Sequence, residues 1–118
     1  MDTNILTSNG IDVNKGLELL GDIEMYNDTL KDFLQESETR IPQIQEALAK
    51  GDMENYGILT HAMKSDSKYL GFTQLAEMSY QHELAGKGND LAFAQANNAA
   101  LMAEANRIIA VVKQYLGM

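Results

Sequence analysis

Residues 22–51, DIEMYNDTLKDFLQESETRIPQIQEALAKG, decide the fold that this sequence predicts. Apolar or small side chains recur there every three or four residues, which is the spacing of a helix that buries one face in a bundle. Pro42 lies inside the pattern, and the apolar stripe continues in phase across it, so we expect a kinked helix and not a break. Asp22 is the predicted N-cap, and Gly51 is the predicted end. The stripe consists of Ile23, Tyr26, Leu30, Phe33, Ser37, Ile41, Ile44 and Leu48.

The segments on either side of this stretch also carry helix signals, and no strand pattern occurs. A short helix over 13–20 is predicted before it, because Asp12 can cap an apolar stripe that ends at Gly21. Two long helices are predicted over 52–71 and from a possible cap at Thr73 to the loop sequence Gly86-Lys87-Gly88. The last predicted helix begins at Asn89 or Asp90 and ends at Gly117. Its stripe consists of Leu91, Ala94, Asn98, Leu101, Ala105, Ile108, Val112 and Tyr115.

Four long helices joined by short turns predict an all-α fold, an antiparallel up-down four-helix bundle with a short extra N-terminal helix. Residues 1–10 are polar and show no pattern, so we expect a flexible N-terminal lead. Residues 11–118 are then the four-helix bundle domain. A chain of 118 residues is long enough for one domain with a real core.

Composition excludes several classes of function. The absence of cysteine removes disulfides, thiolate catalysis and cysteine-based zinc sites. A net charge of -8 argues against nucleic acid as a partner, because phosphate backbones demand clustered Lys and Arg. No segment has the roughly 18 apolar residues of a membrane helix, and no secretory signal pattern occurs. We therefore expect a soluble, cytoplasmic protein that binds neither nucleic acid nor membrane.

The chemistry concentrates in residues 60–71, THAMKSDSKYLG. On a helical wheel, His61 shares one face with Gly57, Lys64, Ser65 and Lys68, opposite the apolar residues of the segment. The imidazole is therefore predicted to point outward, between two ammonium groups. A neutral imidazole in these surroundings can accept a bulky anionic group from a docking partner, so His61 is a candidate phosphoryl acceptor.

This stretch resembles the signature of histidine phosphotransfer (HPt) domains of two-component phosphorelays. The family pattern is H-x-x-K-G, a small polar run, L-G, a leucine four residues later, and an acidic or amide residue further on. The chain departs from it at one position, because Ser65 occupies the place of the usual glycine. The matching residues are His61, Lys64, Leu70, Gly71, Leu75 and Glu83.

The resemblance implies a role for each of these polar residues. His61 would be the phosphoacceptor, and Glu83 would bond the second ring nitrogen, unless it is an ordinary surface glutamate. Lys64 would contact the transferring phosphoryl oxygens. Lys68 would do the same or would steer an acidic receiver by long-range attraction. Ser65 is favoured over Ser67 as a hydroxyl donor to the phosphoryl group.

Two other polar residues are given structural roles. His82 has the phase of an apolar stripe, so it is predicted to be a structural histidine and not a second functional one. Asp66 falls on the apolar half of the wheel, where an unpaired charge is costly, so we expect it to be partnered or to lie at the rim.

The function expected from the resemblance is that of a phosphorelay intermediate. His61 would take a phosphoryl group from the phospho-aspartate of one receiver domain, of a response regulator or hybrid kinase, and pass it to another receiver. Such a chain is a monomeric carrier and not an enzyme. It needs no cofactor of its own, since the receiver holds Mg²⁺. Gly57 and Ile58 would belong to the docking shoulder for the receiver.

Two alternatives stay open at this stage. The bundle can dock a receiver or another partner without chemistry, or it can be the substrate-histidine module of a chemotaxis-type kinase whose catalytic domain lies elsewhere. These 118 residues contain no nucleotide-binding segment. Under the second alternative they could therefore not phosphorylate themselves.

Overall fold

The computed structural model describes residues 1–118, and all of its regular structure is helical. The sequence predicted one short N-terminal helix, whereas the structure has two before the four long ones. The six helices are α1 (Asn4–Thr7), α2 (Val13–Leu20), α3 (Ile23–Lys50), α4 (Met53–Leu70), α5 (Thr73–Lys87) and α6 (Leu91–Leu116).

Aspartate side chains begin four of these helices. Asp12, Asp22, Asp52 and Asp90 each accept a hydrogen bond from the backbone N–H three residues later, which satisfies a donor that the first turn leaves free. The predicted cap Thr73 is instead the first residue of α5. Phe72 precedes it without a side-chain cap, because its ring is only 1% exposed and packs into the core.

The long helix α3 continues through Pro42 from Ile23 to Lys50, as the in-phase apolar stripe predicted, and it ends at Gly51 in the left-handed conformation. Helix α4 ends at Gly71 in the same way. The end of α5 was predicted too early, since Gly86 and Lys87 still belong to the helix and do not form a loop.

The apolar stripes of the long helices meet in one core. Helix α4 packs against α5 over most of its length and also against α3 and α2, while α6 packs against α3, α5 and α1. Ile23 is the exception in the predicted α3 stripe, at 43% exposed, because it lies in the first turn before α3 reaches the core. Asp66 is partnered as predicted, with its Oδ2 atom 2.6 Å from Nη1 of Arg40.

Residues 1–10, for which the sequence predicted a flexible lead, contain the one-turn helix α1. Leu6, in α1, is fully buried against the bundle. Arg107 of α6 donates a hydrogen bond to the backbone carbonyl of Asn9 over 3.0 Å. Burial of one leucine and a hydrogen bond from a distant residue produce no periodic sequence pattern in so short a stretch.

None of the helices combines the length and the apolar character that a membrane-spanning helix requires.

Candidate functional site

Two facing helices position the candidate site, with α4 and α5 running in opposite directions. Gly57 lies against Gly86, and one turn along α4, His61 lies against Glu83. An ideal Cβ atom on Gly57 would lie 3.3 Å from the Gly86 Cα atom, so only small residues permit this backbone approach. The two glycines thus set the separation at which side chains of α4 and α5 can meet.

His61 presents its ring to solvent while one nitrogen is held by the protein. The side chain is 56% exposed, and Nδ1 lies 2.9 Å from Oε2 of Glu83. An ionised carboxylate can only accept hydrogen bonds, so Nδ1 is the donor in this contact. The lone pair of the neutral ring is then on Nε2, which makes that nitrogen the nucleophile.

Glu83 is the centre of the charge cluster and not a surface glutamate, because its side chain is only 1% exposed. Lys64 Nζ lies 2.6 Å from Oε1, and Lys87 Nζ lies 2.8 Å from Oε2. Burial raises the pKa of Glu83, but the hydrogen bonds from Lys64, Lys87 and His61 outweigh this effect and lower it from 4.5 to about 2. The carboxylate therefore stays ionised at neutral pH.

Lys64 is more covered than the helical wheel predicted. Its side chain is 14% exposed, and the ammonium lies 5.2 Å from the centroid of the Tyr80 ring, a cation–π distance. Lys64 is thus held between a carboxylate and an aromatic face.

The remaining predicted site residues are not part of this cluster. Lys68 is exposed and lines a separate cavity of about 410 Å³ with Lys15, Glu77 and Tyr80. Ser65 is half-buried and does not line the cavity beside His61.

An open cavity of about 620 Å³ lies beside the imidazole. Gly57 and Ile58 line it, as predicted for a docking shoulder, and Ile58 is 61% exposed. Leu84, on the facing helix, is a second exposed apolar residue, at 43%. The other residues that line this cavity are Met53, Glu54, His61, Glu83, Gly86, Lys87 and Asn89.

Lys87 is the residue that sequence reasoning missed. It was assigned to a loop, although it follows Glu83 by four residues and this spacing places two side chains on one face of a helix. A prediction that α5 continues through Gly86 would have placed Lys87 on the same helix face as Glu83 and so at the site.

His82 is confirmed as a core residue, only 2% exposed, with Nδ1 2.7 Å from the Tyr56 hydroxyl. Burial lowers the pKa of His82, which favours the uncharged ring inside the bundle. It is therefore not accessible to a bulky phosphoryl donor.

An exposed imidazole hydrogen-bonded to a buried carboxylate, on an all-helical scaffold, makes this chain a helical protein with a nucleophilic histidine at its surface. A family model described as the Hpt domain matches residues 28–114, well over half of the chain. The chain belongs to the Hpt family, and this implies phosphotransfer in a two-component phosphorelay with receiver domains as partners. Comparisons with curated proteins and with solved structures gave no significant match.

The ionised state of Glu83 predicts a specific acid sensitivity. Because its folded pKa lies below the unfolded value of about 4.5, its contribution to stability is complete above pH 4.5 and is lost as the pH falls toward 2. We expect the free energy of unfolding to fall by roughly 3 kcal/mol in this window through Glu83. Urea unfolding of Glu83→Gln at several pH values should lack this component.

Glu46→Gln is the matched control, since Glu46 also pairs with a lysine four residues later, Lys50 at 2.7 Å, but on the exposed surface. Lys50 also lowers the pKa of Glu46, but solvent screens this exposed pair, so Glu46→Gln should keep most of the acid sensitivity of the wild type. Parallel pH curves for the wild type and Glu83→Gln would contradict the assignment of this component to the buried carboxylate.

Proposed function

We propose that this chain is the histidine phosphotransfer intermediate of a multistep phosphorelay. It accepts a phosphoryl group on His61 from the phospho-aspartate of one receiver domain and passes it to the aspartate of another. The observation that carries the proposal is the 2.9 Å contact between His61 Nδ1 and buried Glu83, which leaves Nε2 free and exposed in a chain of the Hpt family.

The proposed step balances without a cofactor in this chain. The Nε2 lone pair forms the N–P bond as the P–O bond to the receiver aspartate breaks, and that bonding pair returns to the aspartate carboxylate. Nδ1 keeps its hydrogen, so the ring becomes positively charged, and the Glu83 carboxylate stabilises this charge across their hydrogen bond. The second transfer reverses these changes. The receiver supplies Mg²⁺ to the phosphoryl oxygens.

Docking would place the receiver over the cavity beside His61. Exposed Ile58 offers it an apolar contact on α4, and Gly57 beside it adds no side chain that would block the approach. We further propose that α3 to α6 form an antiparallel up-down bundle and that the chain acts as a monomer. One exposed face then serves donor and acceptor receivers in turn.

Three more residues receive proposed roles at this surface. Lys64 fixes positive charge beside the imidazole, where it stabilises the charge on the transferring phosphoryl group. Lys68, exposed one turn further along α4, steers the acidic receiver. Ser65 donates a hydrogen bond to the phosphoryl group once the receiver has docked.

Transfer from a labelled receiver tests the proposal. The chain is mixed with a receiver domain that carries a labelled phospho-aspartate, and both proteins are separated at successive times. Loss of label from the receiver, with its appearance on this chain as an acid-labile, alkali-stable phosphate, is the expected result. If the two proteins bind each other and the label stays on the receiver, the chain is a docking module without chemistry.

Lys64→Ala should slow phosphotransfer about tenfold, since it removes a fixed positive charge close to the reacting group. Lys68→Ala is the comparison, because an exposed steering charge acts over a longer range and is screened by salt. Transfer rates at low and high salt should separate them, with the Lys64 effect present at both and the Lys68 effect lost at high salt. Equal rates for Lys64→Ala and the wild type would remove Lys64 from the mechanism.

A further inference from the structure

Lys87 shares one carboxylate oxygen with the candidate phosphoacceptor. Its Nζ atom lies 2.8 Å from Oε2 of Glu83, and His61 Nδ1 lies 2.9 Å from the same atom. The other oxygen, Oε1, is held by Lys64. The ammonium of Lys87 is therefore within two hydrogen-bond lengths of the imidazole, on the side of Glu83 away from Lys64.

The two lysines differ in their freedom to move. The Lys87 side chain is 68% exposed, whereas the Lys64 side chain is 14% exposed and lies over the Tyr80 ring. Lys87 lines the open cavity beside His61, and Lys64 does not. A phosphoryl group that enters through this cavity meets Lys87 on a flexible four-carbon stem, while Lys64 stays enclosed.

Charge changes during transfer favour a change of partner for Lys87. Before transfer, Glu83 Oε2 accepts from a neutral imidazole and from the Lys87 ammonium. After transfer the ring is positively charged and competes more strongly for Oε2, while the phosphoryl group on Nε2 brings new negative charge to the cavity. The same ammonium then gains more from the phosphoryl oxygens than from the shared carboxylate.

We propose that Lys87 is a further catalytic residue of this site, which leaves Glu83 and binds the phosphoryl oxygens as the N–P bond forms. This inference rests on the proposed function of His61. It divides the work between the two lysines. Lys64 stays bound to Glu83 and acts on the phosphoryl group only through its fixed charge, whereas Lys87 is the mobile cation that binds the phosphoryl oxygens directly.

Phosphoramidate is the donor that tests this role, because it is small and needs no docking surface. In that reaction His61 Nε2 forms the N–P bond, the P–N bond of the N-protonated donor breaks, and its bonding pair leaves with neutral ammonia. We expect Lys87→Met to slow the formation of phosphohistidine about tenfold, the size of one lost charge-assisted contact. Lys87→Arg should restore most of the rate, since it restores the positive charge.

Lys50→Met is the matched control. Lys50 also pairs with a glutamate four residues earlier, and its side chain is also 68% exposed, but it lines a different cavity and not the one beside His61. This variant should react at the wild-type rate. Nitrogen NMR of the His61 ring distinguishes a catalytic role of Lys87 from one in which Lys87 only positions Glu83. In Lys87→Met, Nδ1 should still carry the hydrogen, because Lys64 continues to hold Glu83.

Phosphorus NMR of the product completes the test, since the phosphohistidine resonance should move when Lys87 is replaced and should stay unchanged in Lys50→Met. A wild-type rate in Lys87→Met overturns the inference, and so does a slow rate accompanied by loss of the Nδ1 hydrogen, because Lys87 would then only position Glu83. If the wild type forms no phosphohistidine at all, the proposed function fails before Lys87 is tested.

Discussion

His61→Gln is expected to abolish acceptance of the phosphoryl group from a labelled receiver. Glutamine can replace the hydrogen bond to Glu83 through its amide N–H, so the cluster around the carboxylate keeps a donor at that position. It offers no nucleophilic nitrogen, however, because the amide lone pair is delocalised. The loss should therefore be chemical and not structural, with unfolding in urea close to that of the wild type.

His82→Gln is the control that the chain itself provides, because it contains only two histidines. His82 is 2% exposed and bonded to Tyr56, so its replacement should lower stability and leave phosphorylation in place. The expected product is one acid-labile phosphate, located on His61 by mass spectrometry. Label on His61→Gln at the wild-type level would place the acceptor elsewhere and remove the basis of the proposed relay.

The long helices could be predicted from sequence because their signals are local. The apolar stripe of α6 is buried from Ala94 to Tyr115, and the predicted caps Asp12 and Asp22 accept the expected hydrogen bonds, as does Asp90 of the two candidates at the start of α6. Periodicity and capping depend on residues within one or two turns, so no knowledge of tertiary contacts is needed.

The features that sequence analysis missed depend on contacts between distant segments. Helix α1 is one turn long, and it is held by burial of Leu6 and by a hydrogen bond from Arg107, almost the whole chain length away. Phe72 occupies the cap position of α5 because the core favours its ring there over a polar side chain. Such choices between local preference and tertiary packing leave no periodic pattern.

The candidate site was predictable only in part, for the same reason. The helical wheel predicted that His61 points outward, and the family resemblance predicted its hydrogen bond to Glu83. Neither indicated that Glu83 is buried under three donors, since this depends on how closely α4 approaches α5. The enclosure of Lys64 by Tyr80 follows from that same approach, whereas Lys87 reaches Glu83 within α5 itself, at a spacing of four residues.

Gly86 sets this approach, so Gly86→Ala is expected to change both stability and function. An ideal Cβ atom on Gly86 would lie 2.5 Å from the Gly57 Cα atom and 2.9 Å from the Met53 carbonyl oxygen. Both are backbone atoms and cannot rotate away, so α4 and α5 must separate. Overpacking of this kind exceeds the gain from the higher helix propensity of alanine, and we expect a net loss of about 2 kcal/mol in the free energy of unfolding.

The same separation should weaken the His61 to Glu83 contact one turn along the two helices and slow phosphotransfer in protein that is still folded. Gly57→Ala is the graded comparison, since its Cβ atom would meet the Gly86 Cα atom at 3.3 Å and needs a much smaller shift. Urea unfolding and the transfer rate, measured on both variants, should rank wild type, Gly57→Ala and Gly86→Ala in that order. If Gly86→Ala matches the wild type in both measurements, the spacing of α4 and α5 does not control the site, because the pair of helices then adapts without cost.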